Sequence, residues 1–409
     1  MRKKEGNLLF EFLQVAIGIR KSLSIAIDDG DWHRLFEFCK RQAMIGIGFS
    51  AVERLHAIGV VCPAALRMQW MALTLQVESR NDLLNQQCRQ LTDRYKHDGF
   101  VTCILKGQGN CINYPENLRK RRQCGDIDIW TAPLCDISVV VQTGSNDVEF
   151  AVYNGFRAVR EYVRMQYRLK GTDVHPKACY HHIEAPDIDG TEVEVHYRAA
   201  FLRSPLRNWR MQRWFEHHAD ECMKNKTHLG FSMMTSSVNV VYQMCHLYTH
   251  IFEGGIGFRQ LMDYYFALRV WHNDVMECKD LQSQGMWNEG LGTPVMSKEE
   301  VMVVLRSFGL GKFTSAVMFV LHEVFDVPPH YYICEPNEKE GKKLLAEIMQ
   351  GGNFGQYDTR DAALKKGGIV KHGLWKLKRV MRLVSIYPEE ALWEPVFRVY
   401  HLGWRLIHN

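Results

Sequence analysis

Apolar residues recur at helical spacing through most of the segment 7–98. The spacing is clearest in 8–17, where leucine, phenylalanine, alanine and isoleucine return every third or fourth position, as on the buried face of an amphipathic helix. Gly59 and Pro63 interrupt the pattern and mark a break between helices. The sequence therefore predicts a helical N-terminal region that ends in one long helix over 66–98.

Between 101 and 198 the pattern changes to a mixture of strands and helix. The valines at 139–141 indicate the apolar side of a helix over 136–154. A stretch rich in Pro, Asp and Gly at 186–190 predicts the turn of a hairpin. Short runs of β-branched, aromatic and alternating apolar residues predict strands at 101–105, 124–130, 162–168, 178–184 and 191–197.

Helical periodicity returns from residue 205 onward, with strong apolar runs at 238–248, 258–270 and 301–324. Strands that are framed on both sides by runs of helices are typical of an α+β fold. We therefore predict a small mixed β-sheet core with large N- and C-terminal helical regions. The predicted regions are 1–98, 99–200 and 201–409.

Two aspartates one residue apart, Asp126 and Asp128, lie on the predicted strand 124–130. Side chains alternate across a strand, so the two carboxylates share one face while Ile127 and Ile129 share the other. Adjacent carboxylates repel each other unless a cation lies between them, and hard oxygen ligands favour Mg²⁺ or Mn²⁺. The motif therefore predicts a divalent-metal site on this strand.

A third acid belongs to the predicted strand 191–197, where Glu192, Glu194 and His196 share one face. Alternation alone does not choose among them. Upstream, the strand 101–105 leads into Lys106-Gly107-Gln108. Glycine lets backbone N–H groups approach phosphate oxygens, although a plain strand-to-helix turn favours glycine as well.

Together these motifs resemble the uncharacterised nucleotidyltransferase family, which is part of the polymerase-β-like superfamily. The resemblance covers roughly residues 30–275. It is carried by Leu105-Lys-Gly107, Tyr114-Pro115, Arg122, Gly125-Asp-Ile-Asp-Ile129 and Val193-Glu-Val-His196.

The resemblance implies that 99–200 is a nucleotidyltransferase core with Mg²⁺ or Mn²⁺ as its cofactor. The implied reaction moves a nucleoside monophosphate from an NTP such as ATP to an unidentified acceptor and releases pyrophosphate. The implied catalytic and metal-binding residues are Asp126, Asp128 and Glu194. The predicted nucleotide contacts are Lys106, Gly107, Gln108, Arg122 and His196, and either Lys106 or Arg122 would neutralise charge on the leaving pyrophosphate.

Two other functions stay open at this point. A non-catalytic module on the same fold would bind a nucleotide or RNA. The clustered carboxylates argue against it, because without metal they add nothing to the binding of a polyanion. A toxin-like nucleotidyltransferase would share the chemistry and act on tRNA or protein. Mg²⁺-dependence of NTP binding distinguishes the first alternative, and growth arrest on expression distinguishes the second.

Two motifs that look like site residues favour structural roles. Asp187-Ile-Asp189 repeats the acidic pattern, but Pro186 and Gly190 bracket it as a turn, where a two-residue spacing has no fixed geometry. His181 and His182 alternate across a strand, so at most one of them faces the metal, and a structural role is favoured.

In the C-terminal helical region three polar residues have two interpretations. The favoured one is that they pack between helices, and the alternative is that they contact the nucleotide or the acceptor. They are His250, Arg259 and Asp263.

The 409 residues include 51 basic and 46 acidic side chains, a net charge of +5. That surplus is too small to indicate nucleic-acid binding by itself. The basic concentration at 365–382 favours a solvated helix face over contact with RNA or an anionic surface. Twelve cysteines without CxxC pairs favour reduced thiols, and no apolar run reaches the ~18 residues that span a membrane. We therefore predict a cytoplasmic protein whose partners are an NTP and an acceptor, with no membrane.

Overall fold

The structure, a computed structural model, describes residues 3–134, 137–142, 148–153, 155–172, 174–283, 295–351 and 368–408. Contacts between residues divide the chain into two compact units. The first unit comprises Met1–Asp82, Cys111–Cys124 and Asn239–Leu392, and the second comprises Leu83–Asn110, Gly125–Val238 and Trp393–Asn409. Each unit thus combines stretches that are distant in sequence, and the three predicted regions stay a prediction.

The described elements form an α+β fold, as the sequence predicts. The strands are β1 (Phe100–Ile104), β2 (Ile127–Pro133), β3 (Ile137–Gln142), β4 (Val148–Tyr153), β5 (His182–Ile188) and β6 (Thr191–His196). The helices are α1 (Lys3–Ala16), α2 (Asp29–Arg41), α3 (Ile45–Ala57), α4 (Ala64–His97), α5 (Gln108–Cys111), α6 (Glu116–Arg119), α7 (Phe156–Leu169), α8 (Pro205–His217), α9 (Ala219–Lys224), α10 (Ser236–Glu253), α11 (Phe258–Ser283), α12 (Lys298–Ser307), α13 (Gly311–Phe325), α14 (Glu338–Gly351), α15 (Ile369–Val384) and α16 (Pro388–His408).

The first unit has a helical core in which aromatic side chains from α1, α2 and α4 meet. The ring of Phe12 lies 6.2 Å from that of Trp32 and 5.9 Å from that of Trp70, measured between centroids. The side chain of Gln14 donates a buried hydrogen bond of 3.1 Å to the backbone oxygen of Val324 on α13. The apolar face predicted for the N-terminal helix is therefore buried in this core.

The second unit contains a four-stranded sheet in the order β1-β2-β6-β5. The central pair β2 and β6 is parallel, whereas β1 pairs with β2 and β5 with β6 in antiparallel fashion. Ile127, Ile129, Val193 and Val195 form the buried apolar face of the central pair, with at most 3% of any of them exposed. Because side chains alternate, the acids of both strands lie on the opposite face.

The hairpin between β5 and β6 turns at Asp189 and Gly190. Both residues have positive φ, +49° and +75°, which is the backbone of the type I′ turn that matches the twist of paired strands. The predicted turn is confirmed, but it is shorter than predicted, since Asp187 belongs to β5 and pairs with Lys170 at its exposed edge.

Two elements predicted from the sequence are wrong. The helix predicted over 136–154 is replaced by β3 and β4, which pair with each other in a separate antiparallel sheet. Its valines are β-branched residues, which favour strands over helices. The strand predicted at 162–168 lies within α7, where Ala158, Val159, Tyr162 and Val163 recur at helical rather than strand spacing on the buried face.

The basic segment 365–382 is described only from residue 368 onward, so Lys365 and Lys366 lie outside the described residues. Within α15, Arg379 is buried and donates to the backbone oxygen of Ile251 at 2.8 Å. Lys371 and Lys378 are exposed. Over the described part of the chain, the helices lack the combination of length and apolar character that crossing a membrane requires.

Candidate active site

The parallel pairing of β2 and β6 brings together acids that lie more than sixty residues apart in sequence. Asp128 is the register partner of Glu194, and Trp130 is the partner of His196. Asp126 immediately precedes β2, and one of its carboxylate oxygens lies within 4.8 Å of oxygens of Asp128 and Glu194. The three carboxyl groups form one cluster, which includes Glu194 and not the exposed Glu192.

Asp128 is the buried centre of this cluster, with 1% of its surface exposed. Its Oδ1 atom accepts from Nζ of Lys106 at 2.9 Å and lies 3.0 Å from Nε2 of His196. Among the described residues, its other oxygen, Oδ2, is buried and has no hydrogen-bond partner. A buried carboxylate oxygen without a hydrogen-bond partner costs free energy of folding. Its presence here therefore points to a bound ligand that is not part of the chain.

The turn after β1 places Lys106 against Asp128. The backbone N–H of Leu105 donates to the backbone oxygen of Asp128 at 3.0 Å, which extends the strand pairing by one residue. Gly107 then adopts a φ of +55°, a conformation that favours glycine. A Cβ atom on Gly109 would lie only 2.8 Å from the backbone oxygen of Ile104, so this glycine permits a close approach.

Gln108 begins the short helix α5 in this turn. Its side chain is buried and donates from Nε2 to Oδ1 of Asn85 at 2.7 Å. That bond fixes the side chain against α4. A nucleotide contact by Gln108 through its backbone stays a prediction.

Two imidazoles from neighbouring strands complete the cluster. His182 on β5 is the register partner of His196 on β6. Nδ1 of His182 and Nε2 of His196 each lie 3.5 Å from Oε2 of Glu194. His181 lies beside them, with its ring stacked on that of Phe201 at 4.7 Å, so of the two adjacent histidines it is His182 that contacts the acids.

The sequence profile of the family described as "Uncharacterised nucleotidyltransferase" matches residues 28–284, more than half of the chain. The chain belongs to this family. The matched segment includes every residue of the acidic cluster, which supports nucleotidyltransferase chemistry there. No curated protein and no solved structure matches the nucleotidyltransferase chain at a significant level.

The charges around Glu194 in the nucleotidyltransferase shift its ionisation. Burial alone would raise the pKa of Glu194, but His196, His182 and Lys106 outweigh it and lower the pKa to about 2. Burial lowers the pKa of His182 to about 4, and Glu194 opposes this only in part. Burial also opposes the charge on His196, yet Asp128 and Glu194 raise its pKa above the ordinary value. Glu194 is therefore ionised and His182 neutral near pH 7.

Replacing Glu194 by glutamine is expected to remove a pH-dependent part of the stability. A depressed carboxyl pKa stabilises the fold above the ordinary value of 4.5, and this contribution is lost as the pH falls toward about 2. In metal-free protein, the difference in thermal midpoint between wild type and Glu194→Gln should therefore shrink between about pH 6 and pH 3. The exposed neighbour Glu192→Gln is the control, and an equal difference at both pH values would contradict the assignment.

Arg122 lies in the first unit, where it forms a buried ion pair with Asp263. Its Nε and Nη2 atoms donate to the two carboxylate oxygens of Asp263, each at 2.7 Å, and Tyr114 donates to the same carboxylate at 2.7 Å. Side-chain exposure is 5% for Arg122 and 4% for Asp263. Asp263 thus has Arg122 as a partner, which supports the interpretation that it packs between helices. The nucleotide contact predicted for Arg122 stays a prediction.

Arg259 and His250 also take part in contacts within the first unit. Nη1 of Arg259 donates to the backbone oxygen of Gln123 at 2.7 Å, and His250 lies 3.4 Å from the carboxylate of Glu253. The Arg259 bond joins α11 to the 111–124 segment, whereas the His250 contact lies within α10. The packing interpretation of Arg259 therefore has a partner on another segment, and that of His250 stays a prediction.

The acidic cluster of the nucleotidyltransferase fits a divalent cation. One carboxylate oxygen from each of Asp126, Asp128 and Glu194 lies within 4.8 Å of the others. The donor set consists of hard oxygens, which Mg²⁺ and Mn²⁺ prefer. The buried Oδ2 of Asp128, to which the described part of the chain offers no hydrogen-bond partner, supplies an independent reason for a cation at this position.

Proposed function

We propose that this protein transfers a nucleoside monophosphate from an NTP to an acceptor and releases pyrophosphate. The observation that carries the proposal is the proximity of the carboxylates of Asp126, just before β2, Asp128 on β2 and Glu194 on the parallel strand β6. Three carboxylates in such proximity suit a polyphosphate substrate only with divalent cations between them. Membership of the nucleotidyltransferase family supports the same chemistry.

In this proposal Asp126, Asp128 and Glu194 hold Mg²⁺ or Mn²⁺. When bound, the metal neutralises phosphate charge and lowers the pKa of the acceptor hydroxyl. His196 fixes the orientation of Asp128 through its contact of 3.0 Å with Oδ1. Glu194, which is partly exposed, faces the acceptor side.

Lys106 and Gly107 form the phosphate side of the proposed site. The Lys106 ammonium is held against Asp128, with 21% of its side chain exposed, so it can reach an incoming phosphate without a change in the backbone. Its charge would stabilise the pyrophosphate as the bond between the α-phosphorus and the bridging oxygen breaks and the acceptor oxygen bonds to that phosphorus. The backbone N–H groups after Gly107 would contact phosphate oxygens.

The proposal is tested by calorimetric titration of the protein with ATP, GTP, CTP and UTP, each with and without Mg²⁺. We expect at least one NTP to bind only when Mg²⁺ is present, because the cluster repels a polyphosphate in its absence. Equal binding without the ion would favour a non-catalytic binding module. Absence of binding to all four would refute the assignment.

The acceptor is identified by a second measurement. The protein is incubated with the α-labelled form of the NTP that binds and with fractions of a cell extract. Label in RNA, in protein or in small molecules assigns the acceptor class. Growth arrest on expression, cured by Asp128→Ala, would favour a toxin-like enzyme.

A further inference from the structure

A second group of metal-ligating side chains overlaps the acidic cluster. One ligand atom from each of His182, Glu194 and His196 lies within 4.8 Å of the others. His182 and His196 are register partners on β5 and β6, so the two rings lie side by side on one face of the sheet. Glu194 thus belongs both to the three-carboxylate group and to this His-Glu-His group.

The distances within the second group suit metal ligands better than hydrogen bonds. Nitrogen atoms of both rings lie 3.5 Å from the same oxygen, Oε2 of Glu194. A hydrogen bond between N–H and oxygen is typically about 2.9–3.0 Å long. Two ligands on a tetrahedral ion with bonds of about 2.1 Å lie about 3.4 Å apart, close to the spacing observed.

The burial of the group also favours an ion. His196 is 2% exposed, and its Nε2 atom faces both Asp128 and Glu194. His182 is shielded as well, with 13% of its side chain exposed, and its Nδ1 lies 3.0 Å from Nε2 of His181. An incoming ion would replace that contact between two imidazoles and also the contact of 3.0 Å between Nε2 of His196 and Oδ1 of Asp128, while Glu194 would supply the charge that the ion needs.

We propose that His182, Glu194 and His196 form a second cation site for a first-row transition-metal ion such as Mn²⁺ or Zn²⁺. Imidazole nitrogens suit Zn²⁺ best, and Mn²⁺, although it prefers oxygen ligands, accepts imidazole more readily than Mg²⁺ does, which makes Mn²⁺ a usable spectroscopic probe. Mn²⁺ would therefore fill both groups, and Mg²⁺ only the group of three carboxylates. Sharing of Glu194 between two ions rests on the proposed function, but binding of an ion to the His-Glu-His group does not.

The test uses the full chain loaded with Mn²⁺ in the absence of nucleotide. Pulsed electron paramagnetic resonance detects imidazole nitrogen that is bonded directly to Mn²⁺, so we expect nitrogen modulation in the wild-type protein. Loss of one ligand in His182→Gln should lower the affinity for one equivalent of Mn²⁺ by at least about 10-fold. The exposed His217 on α8 provides the control variant His217→Gln, which should keep both the modulation and the affinity.

The outcomes separate this inference from the proposed function. Wild-type protein that binds Mn²⁺ without nitrogen modulation would overturn the second site, whatever the variants do. If that protein still binds an NTP only with Mg²⁺, the proposed function survives alone. Conversely, nitrogen modulation that persists in Asp126→Asn supports the second site even where no NTP binds.

Discussion

Asp128→Asn is expected to lower nucleotidyl transfer by roughly 10²–10³-fold or more, the effect of removing a charge-stabilising group from an active site. Asparagine keeps the shape of the side chain and one oxygen for Lys106 and His196, but it removes the charge that a divalent cation requires. Mg²⁺-dependent NTP binding should fall together with turnover. Transfer of label from the α-labelled NTP and calorimetry measure the two effects.

The matched control for Asp128→Asn is Asp187→Asn. Asp187 belongs to the other Asp-Ile-Asp sequence of the chain, and its carboxylate lies at an exposed edge beside Lys170. The control should keep both NTP binding and transfer. Circular dichroism should show folded protein for both variants, and full activity in folded Asp128→Asn would refute the metal-binding role of the acidic cluster.

Asp263→Asn should cost about 3–5 kcal/mol of stability, because it leaves the Arg122 guanidinium charged and buried without its counter-ion. Burial disfavours the charge, and in the wild type Asp263 raises the pKa of Arg122 above its usual range. An arginine guanidinium stays protonated in proteins even without a counter-ion, so Arg122 cannot escape the cost in the variant by losing its proton. The variant loses the carboxylate charge that strengthens the two hydrogen bonds of 2.7 Å from Arg122. Urea unfolding monitored by tryptophan fluorescence measures the shift in midpoint.

An exposed ion pair in the same unit serves as the control for this loss. Glu338 and Lys342 lie four residues apart on α14, and both side chains are about two-thirds exposed. Glu338→Gln should leave the midpoint unchanged, since solvent screens such pairs. A shift in Asp263→Asn no larger than in the control would mean that the buried pair does not stabilise the first unit.

The same variant bears on the nucleotide contact predicted for Arg122. If Asp263→Asn is destabilised but binds NTP normally under folding conditions, the guanidinium acts through packing. If it stays folded and NTP binding is lost, the nucleotide contact is supported. A packing role therefore changes the stability, whereas a nucleotide contact changes NTP binding.

Local patterns in the sequence predict most of the elements around the site. Alternation predicted Asp126 with Asp128 and Glu194 with His196 on shared faces. In the structure Asp126 lies just before β2, its carboxylate still lies in the cluster, and Glu194 and His196 are both on β6 opposite β2. The long helix α4 and the hairpin turn were predicted from spacing and turn residues. The predictions at 136–154 and 162–168 failed because short apolar runs fit helix and strand periods nearly equally well.

By itself, the sequence determines which face of each strand carries the acids, because side-chain direction along a strand depends only on position. It also determines that the chain belongs to a nucleotidyltransferase family. Only the tertiary structure decided that Glu194 lies opposite Asp128, that His182 rather than His181 contacts it, and that Arg122 pairs with Asp263. Those contacts join strands and helices that lie far apart in the chain. Which residues meet depends on the burial of the whole sheet face and of the helical core, and a local pattern does not contain that information.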